Sequence, residues 1–332
     1  MHPLLKAAAE RQLGLFTAAD AHRAGYERGE IQRLCTTGTW RRLRRGVYAA
    51  ADDLAAAEEK GRRHQVECLA VLLELSRPTA ALSHESAARL WGFPVPRRLA
   101  GAVRLTDPTL SRHGRGYRIT QAPLRAGEVV RSGPFRLTGA DRTLLDCARQ
   151  WPLDDAVVAL DAALLAGRVT RRQLSDELSK LQRWPGTGRA ARALTLADGR
   201  AESPLETRGR LRIVGSGLDA PALQVEIRTS ARLVAVVDAW FDDAAVAVEF
   251  DGRVKYTDPW RDRSPERVLW DEKRREDELR ALDIRVVRIA DADLGPTWPT
   301  IETRLRELLA AAGPSIRRFT ATPRLLGRQR SG

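Results

Sequence analysis

The chain has 332 residues, of which 43% are hydrophobic and 30% charged, and 56 Lys+Arg against 43 Asp+Glu leave a formal net charge of +13. That length accommodates two or three ordinary domains, and the apolar content excludes a disordered chain. The cationic excess favours a polyanionic partner, nucleic acid ahead of an anionic membrane surface.

Residues 1–50 carry a compact pattern of their own. LLKAAAERQLGLF places Leu4, Leu5, Ala8 and Leu13 near helical spacing, and Gly14 ends the run. Thr17 in FTAADAHRAG is a predicted helix cap, with Asp20 in the capping-box position. YERGEIQRLCTTG reads as the next helix, with Ile31, Leu34 and Cys35 on one face. WRRLRRGVYA alternates Trp40, Leu43 and Val47 with arginines, as a β-ribbon does. Helix, helix–turn–helix, then a basic ribbon is the order of a winged helix. Arg41, Arg42, Arg44 and Arg45 are the expected phosphate contacts, and Arg28, Gln32 and Arg33 are placed to face a groove. The competing reading is a small helical domain whose arginines are only a solvated face.

Residues 51–200 read as a mostly helical α+β middle region. HQVECLAVLLELS and SHESAARLWGFPVP are helices, the second started by Ser83 and stopped by Gly92 and Pro94. AVRLTD, YRITQ and FRLT are strand-like, and ADRTLLDCARQW, LDDAVVALDAALLAG and TRRQLSDELSKL are helices. His84, Asp141 and Arg142 are expected to serve as caps and local ion pairs. RWPGTGRAARALTLADGRAES reads as a helical connector. Cys35, Cys68 and Cys147 are far apart in helical apolar contexts, the pattern of buried thiols in a reducing compartment. The opening residues lack the apolar core and cleavage site of a signal peptide, and no apolar run reaches the ~18–20 residues a bilayer requires. A cytoplasmic protein without a membrane partner is expected.

Residues 201–315 change character. SPLETRGRLRIV is a helix; LQVEIRT, RLVAVVDAWF and AVAVEFDG are strands; a long charged helix, the strand IRVVRIA and the helix TIETRLRELLAAA follow. The order αβββαβα predicts an α/β sandwich with a mixed sheet. Residues 316–332 are basic and are expected to form a mobile tail.

Carboxylates interrupt two of these apolar strands: Asp238 in LVAVVDAWF, Glu249 and Asp251 in VAVEFDG. A hairpin around 242–245 with Phe241 opposite Val246 sets Asp238 opposite Glu249, where like charges destabilise a cross-strand pair. Either one carboxyl holds a proton or a hard divalent cation, Mg²⁺ (or Mn²⁺), sits among the oxygens. Glu206 on the preceding helix is expected to add a fourth oxygen ligand or to bind the ion's water. Lys255 and Lys273 lie downstream, where an ammonium orients a hydroxide or stabilises developing negative charge. The alternative for Lys273 is an ion pair with Asp277 on the same helix.

Glu206, VVDAW, VEFDG and EKRREDELRALDIRVVRI resemble the PD-(D/E)XK nuclease superfamily, in particular its Vsr-like branch and the domain of unknown function 559. The resemblance covers about residues 200–295. It implies a restriction-endonuclease-like fold and Mg²⁺-dependent phosphodiester hydrolysis, in phage defence or DNA repair, with Asp238 and Glu249 holding the metal and Asp251 and Glu206 assisting. The superfamily's lysine two positions after the second acid is replaced here by Asp251, and Lys255 stands where Vsr-like relatives often have a histidine. QLGLFTAADAHRAG…IQRLCTTGTWRRLRRGVYA is similar to the N-terminal winged helix of AbiEi-type antitoxins. That resemblance implies promoter binding, autoregulation and a cognate toxin partner. The two expectations are a metal-dependent endonuclease acting on double-stranded DNA, and an antitoxin-like regulator whose nuclease fold is inactive; a plain protein-interaction module comes third.

Overall fold

The computed structural model describes residues 1–99, 101–252 and 265–324, and only the backbone of 265–269, 271 and 272. In chain order the elements are α1 (Pro3–Arg11), β1 (Leu15–Thr17), α2 (Ala18–Arg23), α3 (Arg28–Thr36), β2 (Trp40–Arg44), β3 (Val47–Ala50), α4 (Ala51–Glu59) and α5 (Arg63–Leu75). Next come β4 (Ala81–Leu82), α6 (His84–Trp91), β5 (Val103–Asp107), β6 (Arg112–Gly114), β7 (Tyr117–Gln121), β8 (Val129–Ser132) and β9 (Phe135–Thr138). Four helices follow: α7 (Ala140–Gln150), α8 (Leu153–Leu165), α9 (Arg171–Lys180) and α10 (Thr187–Leu196). The last group is α11 (Pro204–Gly215), β10 (Ala222–Arg228), β11 (Leu233–Phe241), β12 (Val246–Asp251), α12 (Pro265–Arg280), β13 (Arg285–Ala290), α13 (Trp298–Ala310) and β14 (Thr320–Pro323). No helix among the described residues is long and apolar enough to cross a membrane.

The chain divides into two compact units: residues 1–151 with 172–190, and residues 152–171 with 191–332. The first unit holds a three-stranded sheet of order β1-β3-β2 and a six-stranded sheet of order β6-β7-β5-β4-β9-β8. Its α2 starts as the sequence predicts. Thr17 Oγ1 accepts the Asp20 N–H at 3.1 Å while the Asp20 carboxylate accepts the Thr17 N–H at 2.8 Å, a reciprocal cap in which the Thr17 side chain alone contributes about 1 kcal/mol. Phe16, Trp40 and Tyr26 build an aromatic knot under the helices, with Phe16 edge-on to Trp40 at 4.7 Å between centroids. The other face of the small sheet, through Leu15, Val47 and Ala49, joins a core with α5 and with Leu105, Ile119 and Leu137 of the six-stranded sheet. The core therefore runs across residue 50, where composition alone sets a domain boundary. The middle region is richer in strand than expected, because β4, β6 and β8 join the three strands legible in the sequence.

The second unit contains a five-stranded sheet of order β13-β12-β11-β10-β14, with β12 and β13 parallel and the other pairs antiparallel. The mixed sheet and the order αβββαβα match the expectation. The tail does not. Residues 320–323 pair with β10 as an edge strand, Phe319 is buried, and Arg317 pairs with Asp242 at 2.9 Å. Backbone pairing and one buried ring hold residues whose composition suggested mobility; residues 325–332 lie outside the described residues. One core packs α11 and α13 against Leu223, Ala239, Val246, Val248 and Phe250; the other packs Leu279 of α12 against Val225, Val237 and Ala247.

Candidate functional site

Two sites were expected, and the structure treats them differently. The first is the basic face of residues 28–45. On α3, Ile31 is buried, Leu34 and Cys35 are half-buried, and Arg28, Gln32 and Arg33 are exposed. With 100° per residue these three span about 140° of the helix circumference, opposite the seam that Ile31 anchors. Burial raises the Cys35 thiol pKa against the nearby Arg42 charge.

On the ribbon, Arg41, Arg42 and Arg45 are exposed. Register places Arg42 opposite Tyr48 and Arg41 opposite Ala49, so the two side chains leave opposite faces of the edge strand β2. Arg42 thus lies on the side of the α1–α3 helices. Arg44 departs from its expected role. Its guanidinium donates to the Arg115 carbonyl at 2.6 Å, meets Glu74 at 3.4 Å and lies over the Tyr117 ring at 5.6 Å. It is committed inside the protein and is not a phosphate contact.

The second site is the carboxylate set. The hairpin has the expected register, Phe241↔Val246 through Ala239↔Val248, but the ladder stops there. Asp238 Oδ2 accepts the Phe250 N–H at 2.9 Å, and Oδ1 lies 3.4 Å from the Gln224 amide nitrogen. The same amide donates to Glu206 Oε2 at 3.0 Å. Gln224 has φ 52, and at this point β10 and β11 change which core they feed: Leu223 and Ala239 belong to one, Val225 and Val237 to the other. Period-two alternation fails at the one step that sequence counting relied on.

Asp238 is therefore tied to Glu206 of α11 through Gln224, whereas Glu249 pairs with Arg275 of α12 at 3.2 Å. Asp251 is half-buried, and its Oδ1 is buried without a hydrogen-bond partner among the described residues. The expected cage of Glu206, Asp238, Glu249 and Asp251 is not assembled: among the described residues no group of three or more His, Cys, Asp or Glu is placed to hold a metal ion. Lys255 lies outside the described residues, and Lys273 is exposed and makes no ion pair among them, with Asp277 or otherwise. The protonated-carboxyl alternative fares better. Burial, then the Asp238 charge, pushes the Glu206 pKa up to about 7, against hydrogen bonds from Glu202 N–H, Ser203 and Gln224.

Sequence reasoning saw Arg142 and His84 as local caps and pairs; they belong to a buried network. Arg142 meets Asp146 at 2.8 Å and Glu128 at 2.9 Å, Arg149 meets Asp146 at 3.0 Å, and both guanidiniums lie over Trp184. His84 is buried at φ 49 with Ser83 Oγ on Nδ1 at 2.9 Å and Gln150 on Nε2 at 3.0 Å. Burial drops its pKa to about 4, so it stays neutral. Gln224 carried no sequence signal, since a glutamine in a strand announces neither a bulge nor a shared hydrogen bond.

Comparison with known proteins bears on the stretch that contains the first of these faces. Residues 3–51 match the family model described as "Transcriptional regulator, AbiEi antitoxin", the stretch that holds α1–α3 and the β2–β3 ribbon. The small sheet and helices are compatible with a winged helix. The chain is 30% identical over 213 residues to the uncharacterized protein Rv2248 of Mycobacterium tuberculosis (strain ATCC 25618 / H37Rv), covering 62% of this chain and 71% of that protein. The uncharacterized protein MT2308 of strain CDC 1551 / Oshkosh matches to the same extent. The chain belongs to the same protein family as these two mycobacterial proteins.

Proposed function

We propose that the protein is a DNA-binding transcriptional regulator of the AbiEi antitoxin kind. The observation that carries this reading is the exposed Arg28–Gln32–Arg33 face of α3 set beside the exposed Arg41, Arg42 and Arg45 of the ribbon, within the stretch matching that family model. In this reading α3 enters the major groove of double-stranded DNA. Gln32 reads an adenine through its paired donor and acceptor, and Arg28 or Arg33 reads a guanine edge. Arg41, Arg42 and Arg45 neutralise phosphates and fix register without reading sequence. The family name also makes a cognate toxin the expected protein partner. A gel shift with the DNA upstream of the protein's own gene tests the reading. Wild type is expected to retard that fragment, and the Arg28→Ala/Gln32→Ala variant to lose at least tenfold in affinity; equal retardation of unrelated DNA by both proteins would remove the regulator.

The endonuclease reading keeps one observation in its favour, the buried Asp251 oxygen that has no hydrogen-bond partner among the described residues, on the strand that carries Glu249. Plasmid cleavage in Mg²⁺ or Mn²⁺ that disappears in Asp238→Ala would restore it, and intact plasmid throughout would end it.

A further inference from the structure

The DNA-binding face outlined above stops at the ribbon, yet the basic surface of the first unit does not. The β6–β7 hairpin, RHGRGYR, carries Arg112, His113, Arg115 and Arg118, all exposed, and none of the three arginines makes an ion pair among the described residues. The strand β6 is the outer edge of the six-stranded sheet, as β2 is the edge of the three-stranded one.

These two edges are fastened together. Arg44, at the end of β2, donates to the carbonyl of Arg115 at the hairpin tip and lies across Tyr117, the first residue of β7. Gly116 has φ 71, and a Cβ there would come within 3.2 Å of the Arg44 guanidinium, so the tip is shaped to take this side chain. Between the edges runs an open cleft of about 480 Å³ whose lining includes Arg41, Arg42, Arg44, Arg63, Glu67 and Gly116. Arg63 is answered by Glu58 and Glu67, and Arg44 by Glu74, whereas Arg41 makes no ion pair among the described residues. Arg41 leaves β2 on the side of the shared core, the side on which the hairpin is docked.

We infer that the β6–β7 hairpin is a second phosphate-contacting ribbon, clamped to the first by Arg44, through which the first unit holds duplex DNA flanking the stretch read by α3. The inference rests on the DNA-binding reading and deepens it by assigning a contact outside residues 3–51. Charged residues on an edge strand also guard against edge-to-edge aggregation. That role requires charge but not a docked, glycine-shaped tip beside a cationic cleft.

The test uses the full chain and fluorescence anisotropy against a long duplex centred on a bound site, the same duplex trimmed to the site, and a long duplex of unrelated sequence. The Arg112→Ala/Arg115→Ala/Arg118→Ala variant is expected to lose about tenfold or more in affinity for both long duplexes equally. Its slope of log K against log[salt] should become shallower by roughly 0.9 for each phosphate that the variant no longer neutralises. It should match wild type on the trimmed site, and the triple Arg→Lys variant should restore most of the slope. An unchanged affinity and slope on the long duplexes, with or without new aggregation, overturns the second ribbon while leaving the first intact. A wild-type chain that binds none of the three duplexes overturns both readings together.

Discussion

The candidate sites of the two units handle charge differently. In the first, buried carboxylates are matched by arginines: Asp107 by Arg77 at 3.1 Å, and Asp146 by Arg142 and Arg149. Arg28 and Arg33 of α3, Arg41 and Arg42 of β2, and Arg112, Arg115 and Arg118 of the β6–β7 hairpin face solvent. In the second, Glu206 and Asp238 are both buried and share one neutral amide, Gln224. A site that leaves its cations exposed and unpaired is arranged to meet a polyanion. A site whose acids are answered within the fold, by a peptide N–H, an amide and Arg275, has fewer oxygens left for an ion. What a charge cluster can do follows from what the fold leaves uncompensated, more than from the residues that compose it.

The sharpest break of this comparison removes one cation from the first unit. Arg142→Ala leaves Glu128 buried without its partner and half-empties the site at Asp146, and it is expected to destabilise the unit by about 3–5 kcal/mol. Denaturant unfolding measures the loss, and Arg142→Ala/Asp146→Ala should recover part of it. A change below about 1 kcal/mol would mean that the buried network is not what holds α7 in place.

The pH dependence sharpens the contrast with a smaller effect. Glu206 titrates near 7 in the folded chain and near 4.5 unfolded. Between those values the folded state keeps a proton that the unfolded state has lost, so stability falls as pH rises through the window and levels off above it. The size is on the order of 3 kcal/mol. Asp161, whose carboxyl burial pushes to about 6 against the Arg210 charge, acts in the same direction. In the first unit the sign reverses. Burial raises Asp107 and Asp146, but hydrogen bonds from Arg77, Thr79 and Thr109 to the former, and the charges of Arg142 and Arg149 on the latter, outweigh it and lower both pKa values. Their stabilisation is complete above the ordinary carboxylate range and is lost on acidification. Hydrogen exchange corrected for intrinsic rates should show protection of α11 and β11 declining from pH 5 to 7 while α7 holds steady. Glu206→Gln should flatten most of the decline, and an undiminished slope in that variant would assign it elsewhere.

How much of this the sequence disclosed depends on the range of the interaction. Local signals were reliable: the Thr17–Asp20 capping box, the Ile31 face of α3, and the Gly92 stop of α6, where the glycine adopts φ 80. Period-two alternation located β10, β11 and β12, and the hairpin register at Phe241↔Val246 followed from counting. The count failed at Asp238 because a left-handed Gln224 on the neighbouring strand redirects both chains, and nothing in LQVEIR signals such a residue. Arg44 was indistinguishable from Arg41, Arg42 and Arg45 for a similar reason. Its partners, Glu74, Arg115 and Tyr117, lie far along the chain, in a region whose packing against the ribbon leaves no periodic trace. The edge pairing of residues 320–323 was hidden in the same way by composition that reads as a solvated tail.

The central claim is that α3 reads sequence while the ribbons supply sequence-independent grip. Selecting bound fragments from a pool of random duplexes, with wild type and with Gln32→Ala, tests it most directly. The account predicts a defined motif for wild type, a relaxed preference at one or two adjacent positions for Gln32→Ala, and the wild-type motif at lower yield for Arg41→Ala/Arg42→Ala. Recovery of the same motif from Gln32→Ala, or of no motif from wild type, would contradict it.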